Sequence, residues 1–272
     1  MRSLAFSTLF LLQWITLSTA AANNVLLVGD SFSSFMGQTI KSFCSNVNVY
    51  NAGIGGTTAT QWASVTSDEL EACKDDPDMI YSSVLISVGG NDLLESGCSL
   101  STTELRQVME DAVLNVVTNV APGATNYVMT GYCMPAAPEE EAGEGCNSPQ
   151  AFAKLSEAFK DINVSMPSGS TLTVVDSFEV CGGSSTAFSD EKYFQDPIHL
   201  NAKGYCKVFT QDAVQTAMSC GTSTAIDCDS FETEIYGLDK NCLDDIPNSG
   251  NFLQVTSGLV LASFVLMLAQ TL

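Results

Sequence analysis

Short apolar runs recur along the chain, and stretches with helical spacing separate them. The runs are Val25–Val28, Val47–Tyr50, Ser83–Val88, Asn126–Thr130 and Leu172–Val175. Strands that are covered on both faces are apolar nearly throughout, and parallel strands are the ones so covered. Helical patterns occupy Thr102–Val120, Gln150–Ile162 and Ala202–Met218. Thr102 or Thr103 serves as the cap of the first, and Pro122-Gly123 as its stop. Strand-helix-strand alternation predicts a three-layer α/β/α sandwich around a mainly parallel, five-stranded sheet.

The chain has 272 residues, 45% of them apolar and only 15% charged, so a substantial core is expected. Acidic residues number 31 against 10 basic ones. That balance excludes a nucleic-acid partner, which needs a basic face, and disfavours anionic membrane surfaces.

Both ends read as processing signals. Residues 1–22 combine one basic residue, an apolar run and a small-residue exit, the pattern of a secretory signal peptide. Small residues at 248–250 are followed by a mostly polar spacer and an uncharged apolar tail that runs to residue 272. This is the layout of a GPI-attachment signal over residues 249–272, with Asn248 or Ser249 as the attachment residue. The alternative is a C-terminal membrane segment. Its dense apolar part, Leu259 to Ala269, has 11 residues, short of the roughly 20 that a span needs. Arg2 is the only charged residue in the two ends, so their loss moves the net charge from −21 to −22. Residues 23–220 form the expected folded domain, and 221–248 an acidic, cysteine-containing extension or stalk.

Ten cysteines in a secreted chain suggest up to five disulfides. Cys133–Cys146 and Cys228–Cys242 are plausible local pairs, although spacing leaves the connectivity open. No pair has C-x-x-C spacing and the chain holds one histidine, so no metal site of the usual Cys/His kind is expected. Asn163-Val164-Ser165 is a glycosylation sequon.

The chemistry-bearing residues cluster after the predicted strands. Gly29-Asp30-Ser31 follows the first, and Asn51 to Thr57, with Gly53, Gly55 and Gly56, follows the second. Gly89-Gly90-Asn91-Asp92 follows the third, and Asp196-Pro-Ile-His199 comes after the fifth across a loop. In an open parallel sheet ligands bind beyond the carboxyl ends of the strands, so all four clusters are expected on one rim. Each also has a plainer reading. Asp196 before Pro197 suits a helix N-cap, and Gly89–Asp92 suits a tight turn. Gly53-Ile54-Gly55-Gly56 lacks the third glycine of a dinucleotide loop, where Thr58 stands instead.

Taken together the clusters supply a serine mechanism. Residues three apart on a helical turn face one way, so Asp196 can orient the His199 ring. The other ring nitrogen is then free to take the Ser31 proton. Backbone N–H groups at Ser31 and in the glycine loop, with the Asn91 amide, can bind the oxyanion. The G-x-S-x-G elbow of α/β-hydrolases is absent.

"GDSFSS", "NAGIGG", "GGND" and "DPIHLN" resemble, in order, the four blocks of the SGNH (GDSL) hydrolase family. The likeness runs from Asn24 to Ser219. It implies a flavodoxin-like fold and ester hydrolysis with no cofactor or metal. Ser31 matches the nucleophile, His199 the base, Asp196 its orienting acid, and Gly56 and Asn91 the oxyanion donors. Phe32 stands where the family most often has leucine, and the extension beyond Ser219 has no counterpart in the family's core. The implied substrates are small acyl esters, esters of acetylated polysaccharide or lysolipid. The alternative is a non-catalytic surface binding protein on the same scaffold. A missing triad member would favour that reading, and none is missing.

Overall fold

The computed structural model describes residues 23–44, 46–136, 146, 148–220, 226–231 and 242. Residues 1–22, Asn248, Ser249 and the apolar tail therefore lie outside the described residues. Along the chain come β1 (Asn23–Gly29), α1 (Ser31–Phe43), β2 (Val47–Asn51), α2 (Ala59–Trp62), β3 (Ser83–Ser87) and α3 (Gly90–Glu95). Then follow α4 (Thr102–Asn115), β4 (Asn126–Thr130), α5 (Pro149–Lys160), β5 (Thr171–Val175), α6 (Ala202–Phe209) and α7 (Asp212–Ala217).

The five strands form one sheet in the order β2-β1-β3-β4-β5, and every pairing is parallel. Val25 to Val28 of β1 and Val84 to Ile86 of β3 have no exposed surface. That accounts for their unbroken apolar character, since helices cover both faces. α1 packs on β1, β2 and β3 and meets α6, while α7 lies on β4 and β5. α4 packs between α2 and α5 in the other layer. The architecture is the three-layer α/β/α sandwich of flavodoxin-like topology. The chain leaves β1 to one side for β2, then crosses to the other side for β3. The rim above β1 and β3 is thus the topological switch point, the place where open α/β sheets bind their ligands.

Local details depart from the sequence reading in three places. The cap of α4 is Ser101, not Thr102 or Thr103. Its Oγ accepts from Glu104 N–H (3.2 Å) while the Glu104 carboxylate accepts from Ser101 N–H (2.8 Å). This reciprocal capping box favours Ser101 because its glutamate stands three residues on. The same helix ends at Asn115 and continues as one wider turn, Val116–Val120. The helix expected over Ala202–Met218 is broken at Thr210 and Gln211. Gln211 takes an extended backbone (ψ 127°) that ends the helical run, and its side-chain Nε2 donates to Ser177 Oγ (3.1 Å).

All ten cysteines pair: Cys44–Cys220, Cys73–Cys242, Cys98–Cys146, Cys133–Cys181 and Cys206–Cys228. Both expected local pairs, Cys133–Cys146 and Cys228–Cys242, are therefore wrong. Sheet order is the reason for the first. Cys133 follows β4 and Cys181 follows β5, and those strands are neighbours. Cys228 instead ties to Cys206 on α6, and Cys242 returns to the far edge, where its N–H donates to Asn51 O (2.8 Å). Asn163 is exposed. No helix among the described residues is long and apolar enough to cross a membrane.

Candidate active site

The turn from β1 into α1 sets the first component. Gly29 has φ +127°, and a Cβ there would lie 1.9 Å from Ser87 O, so only glycine fits beside β3. Asp30 then caps α1: its Oδ1 accepts from Phe32 N–H (2.9 Å), while its own N–H donates to Ser87 O (3.0 Å). Ser31 is the first residue of the helix and is half-buried. Its Oγ lies 3.0 Å from His199 Nε2. The other ring nitrogen, Nδ1, lies 2.7 Å from Asp196 Oδ2.

His199 and Asp196 sit in a loop rather than on a helical turn. Phe194 and Leu200 bridge its ends, and Gln195 N–H donates to His199 O (2.9 Å). Asp196 does not cap a helix. Its Oδ1 accepts instead from the N–H groups of Ile198 (2.9 Å) and His199 (2.7 Å), which folds the loop so that Oδ2 faces the ring. The cap of α6 is Asn201, which accepts from Lys203 N–H (2.9 Å) and Gly204 N–H (3.2 Å). Burial pushes the Asp196 carboxyl up, but hydrogen bonds from the His199 ring and the two backbone N–H groups outweigh it, leaving it below its ordinary value. The His199 and Asp196 side chains remain 31% and 43% exposed, so water and a substrate reach the ring. Phe35 packs edge-on against that ring at 5.4 Å.

The glycine turn after β2 lies alongside. Asn51 Oδ1 accepts from Gly53 N–H (3.0 Å), Gly29 O from Ile54 N–H (2.8 Å), and Ile54 O from Thr57 N–H (3.3 Å). Among the described residues, the N–H groups of Gly55 and Gly56 make no hydrogen bond. A Cβ on Gly55 would be 3.7 Å from Ser31 Cβ, whereas Gly56, at φ +80°, is exposed and has open space around it. Asn91, at the start of α3, donates one amide hydrogen to Thr57 O (2.8 Å), which leaves its second available. The structure thus brings Ser31, His199, Asp196, the Gly55-Gly56 turn and Asn91 to one rim.

Sequence reasoning missed the supporting residues. Asp92 is buried and accepts from Ala59 N–H (2.7 Å) and Thr60 N–H (3.3 Å), holding the N-terminus of α2. Tyr132 is buried after β4, and its hydroxyl donates to Asp30 Oδ2. Its position just past the fourth strand was the available signal, since that strand end belongs to the same rim. Burial dominates at Asp30 and raises its carboxyl to about 7. Hydrogen bonds from Tyr132 and Phe32 N–H and the nearby His199 oppose the rise, and Asp92 adds to it. Among the described residues no cluster of His, Cys, Asp and Glu could hold a metal ion.

The fold and the blocks that build this rim have known counterparts. A Streptococcus pneumonia structure described as "a putative platelet activating factor" superposes with a TM-score of 0.53 at 16% identity, covering 75% of this chain and 86% of its own. A carbohydrate acetylesterase family member from Sinorhizobium meliloti aligns with a TM-score of 0.49 at 14% identity, covering 72% of this chain and 99% of its own. No curated protein matches this chain. The family model of the GDSL-like lipases and acylhydrolases matches residues 18–206, a stretch that holds every residue just assembled at the rim. The chain therefore belongs to the GDSL-like lipase/acylhydrolase family and is an ester-bond hydrolase.

Proposed function

We propose that the protein is a secreted, surface-anchored carboxylic ester hydrolase with Ser31 as nucleophile, His199 as base and Asp196 as orienting acid. One observation carries the reading. The chain's single imidazole bridges a serine hydroxyl at 3.0 Å and a carboxylate at 2.7 Å.

The geometry implies the proton path. Asp196 Oδ2 accepts from Nδ1–H, so the Nε2 lone pair points at Ser31. As Oγ bonds to the ester carbonyl carbon, its proton passes to Nε2. The carbonyl oxygen becomes an oxyanion, for which Ser31 N–H, Gly56 N–H and the free Asn91 amide hydrogen are donors. Gly55 N–H is the neighbouring candidate in the same turn. The positive end of the α1 dipole adds to this stabilisation. Collapse breaks the bond to the alcohol, which leaves with the proton from Nε2. Water then gives a proton to Nε2 and attacks the acyl-Ser31 carbonyl. The acid departs as Oγ regains its hydrogen.

Acetylated polysaccharide and lysolipid are the substrate classes that fit a surface enzyme with a half-exposed serine. The net charge of −22 after loss of both ends argues for a neutral ester over an anionic lipid interface. Anchoring rests on the layout of 248–272, and glycosylation on the exposed Asn163. Ser31→Ala tests the core of the reading. It should fold normally and lose hydrolysis of p-nitrophenyl acetate by roughly 10³-fold or more. Retained turnover would remove Ser31 from the mechanism. A panel of acetylated glycans and lysolipids then separates the substrate classes.

A further inference from the structure

Tyr132 lies directly beneath the rim and touches both sides of the proposed oxyanion site. Its hydroxyl donates to Asp30 Oδ2, and Asp30 Oδ1 holds Phe32 N–H at 2.9 Å. Ser31 is thus flanked by two residues that this one side chain restrains. Phe32 itself meets the Tyr132 ring edge-on at 5.2 Å. On the other side the ring abuts Gly90, where a Cβ would lie 2.9 Å from Tyr132 Cζ. Gly90 immediately precedes Asn91. The ring cannot drift, because Phe159 packs against it at 6.2 Å and the next residue, Cys133, is bonded to Cys181.

We propose that Tyr132 is a positioning residue for ester hydrolysis, setting the separation of the Ser31 N–H and the Asn91 amide by bracing Asp30 and Gly90. This rests on the assignment of those two groups as oxyanion donors. An oxyanion must be reached by both donors at once, and only in the transition state does it carry the charge they bind. A brace that sets their spacing therefore acts on turnover and leaves ground-state ester binding alone. The hydroxyl matters because the buried Asp30 carboxyl loses one of its two donors without it.

Tyr132→Phe keeps the ring and removes the hydroxyl. With active sites counted by fluorophosphonate labelling, kcat for p-nitrophenyl acetate should fall about 10- to 100-fold while KM stays within about twofold. The inhibition constant of a trifluoromethyl ketone, which forms a tetrahedral oxyanion, should rise by the same factor as kcat falls. A purely structural tyrosine would lower Tm and the number of labelled sites, leaving kcat per labelled site unchanged. Gly90→Ala pushes the ring from the opposite side and should give the same split, so it decides the matter if Tyr132→Phe does not fold. Wild-type kcat per labelled site in the variant that folds, or a rise in KM alone, overturns the proposal. Ser31→Ala is the control. If it retains turnover, the reading of the site fails. If it is inactive while Tyr132→Phe matches wild type, only the brace fails.

Discussion

Ser31 and His199 stand 168 positions apart in sequence, and their side chains meet at 3.0 Å. The packing of two helices explains how. α1 begins at Ser31, α6 begins three residues after His199, and the two helices touch. Phe32 of α1 meets Tyr205 of α6 edge-on at 5.1 Å, and Phe35 meets the His199 ring itself. The nucleophile and the base are thus carried on one packed layer.

Asp196→Asn should keep the loop, because the amide oxygen still accepts from Ile198 and His199 N–H. It would present an NH₂ group to Nδ1, however, and favour the wrong tautomer. A loss of about 10²–10⁴ in kcat with little change in KM is expected, read with p-nitrophenyl acetate. A loss smaller than tenfold would contradict the orienting role.

Asn91→Ala removes one oxyanion donor and should lower kcat by about 10²–10³. It also deprives Thr57 O of its donor, a cost of about 1 kcal/mol that urea unfolding would register. If stability falls and kcat per active site does not, Asn91 only holds the loop.

Asp30 makes stability depend on pH in an unusual direction. Its folded carboxyl titrates at about 7, above its ordinary value of 3.8. Between those values the native state holds a proton that the unfolded chain has lost. This contribution is therefore present at low pH and disappears as pH rises through about 7. Asp30→Asn cannot titrate and should flatten the decline in unfolding free energy between about pH 4 and 7, measured by urea denaturation. An identical slope in wild type and variant would show that Asp30 is not its source.

Cys73–Cys242 closes a sequence separation of 169 residues and pins Cys242 beside Asn51 at the sheet edge. Replacing both cysteines by alanine should cost about 2–5 kcal/mol. The corresponding fall in Tm is roughly 5–15 °C for a domain of this size, read by non-reducing thermal unfolding. An unchanged Tm would mean that the extension adds nothing to the folded domain.

The strand positions were readable because burial writes itself locally: a segment covered on both faces must be apolar, as Val25–Val28 is. The expected sheet and its layers are present for that reason. Ser31 and Asn91 were identifiable because the end of a strand is where an open parallel sheet exposes reactive groups, and His199 because the chain's single histidine follows Asp196 by three residues. Tyr132 escaped notice because a tyrosine after a strand reads as core, and its partner Asp30 reads as a helix cap.

The amino-acid order alone determined the alternation of strands and helices, their approximate limits and the four clusters that reach the rim. These follow from side-chain pattern and backbone preference over a few neighbouring residues. Only the tertiary structure decided which cysteines join, that Asn201 rather than Asp196 caps a helix, and that Tyr132 spans from Asp30 to Gly90. Those outcomes depend on strand order and layer packing, which bring distant segments into contact without leaving any mark on the local sequence.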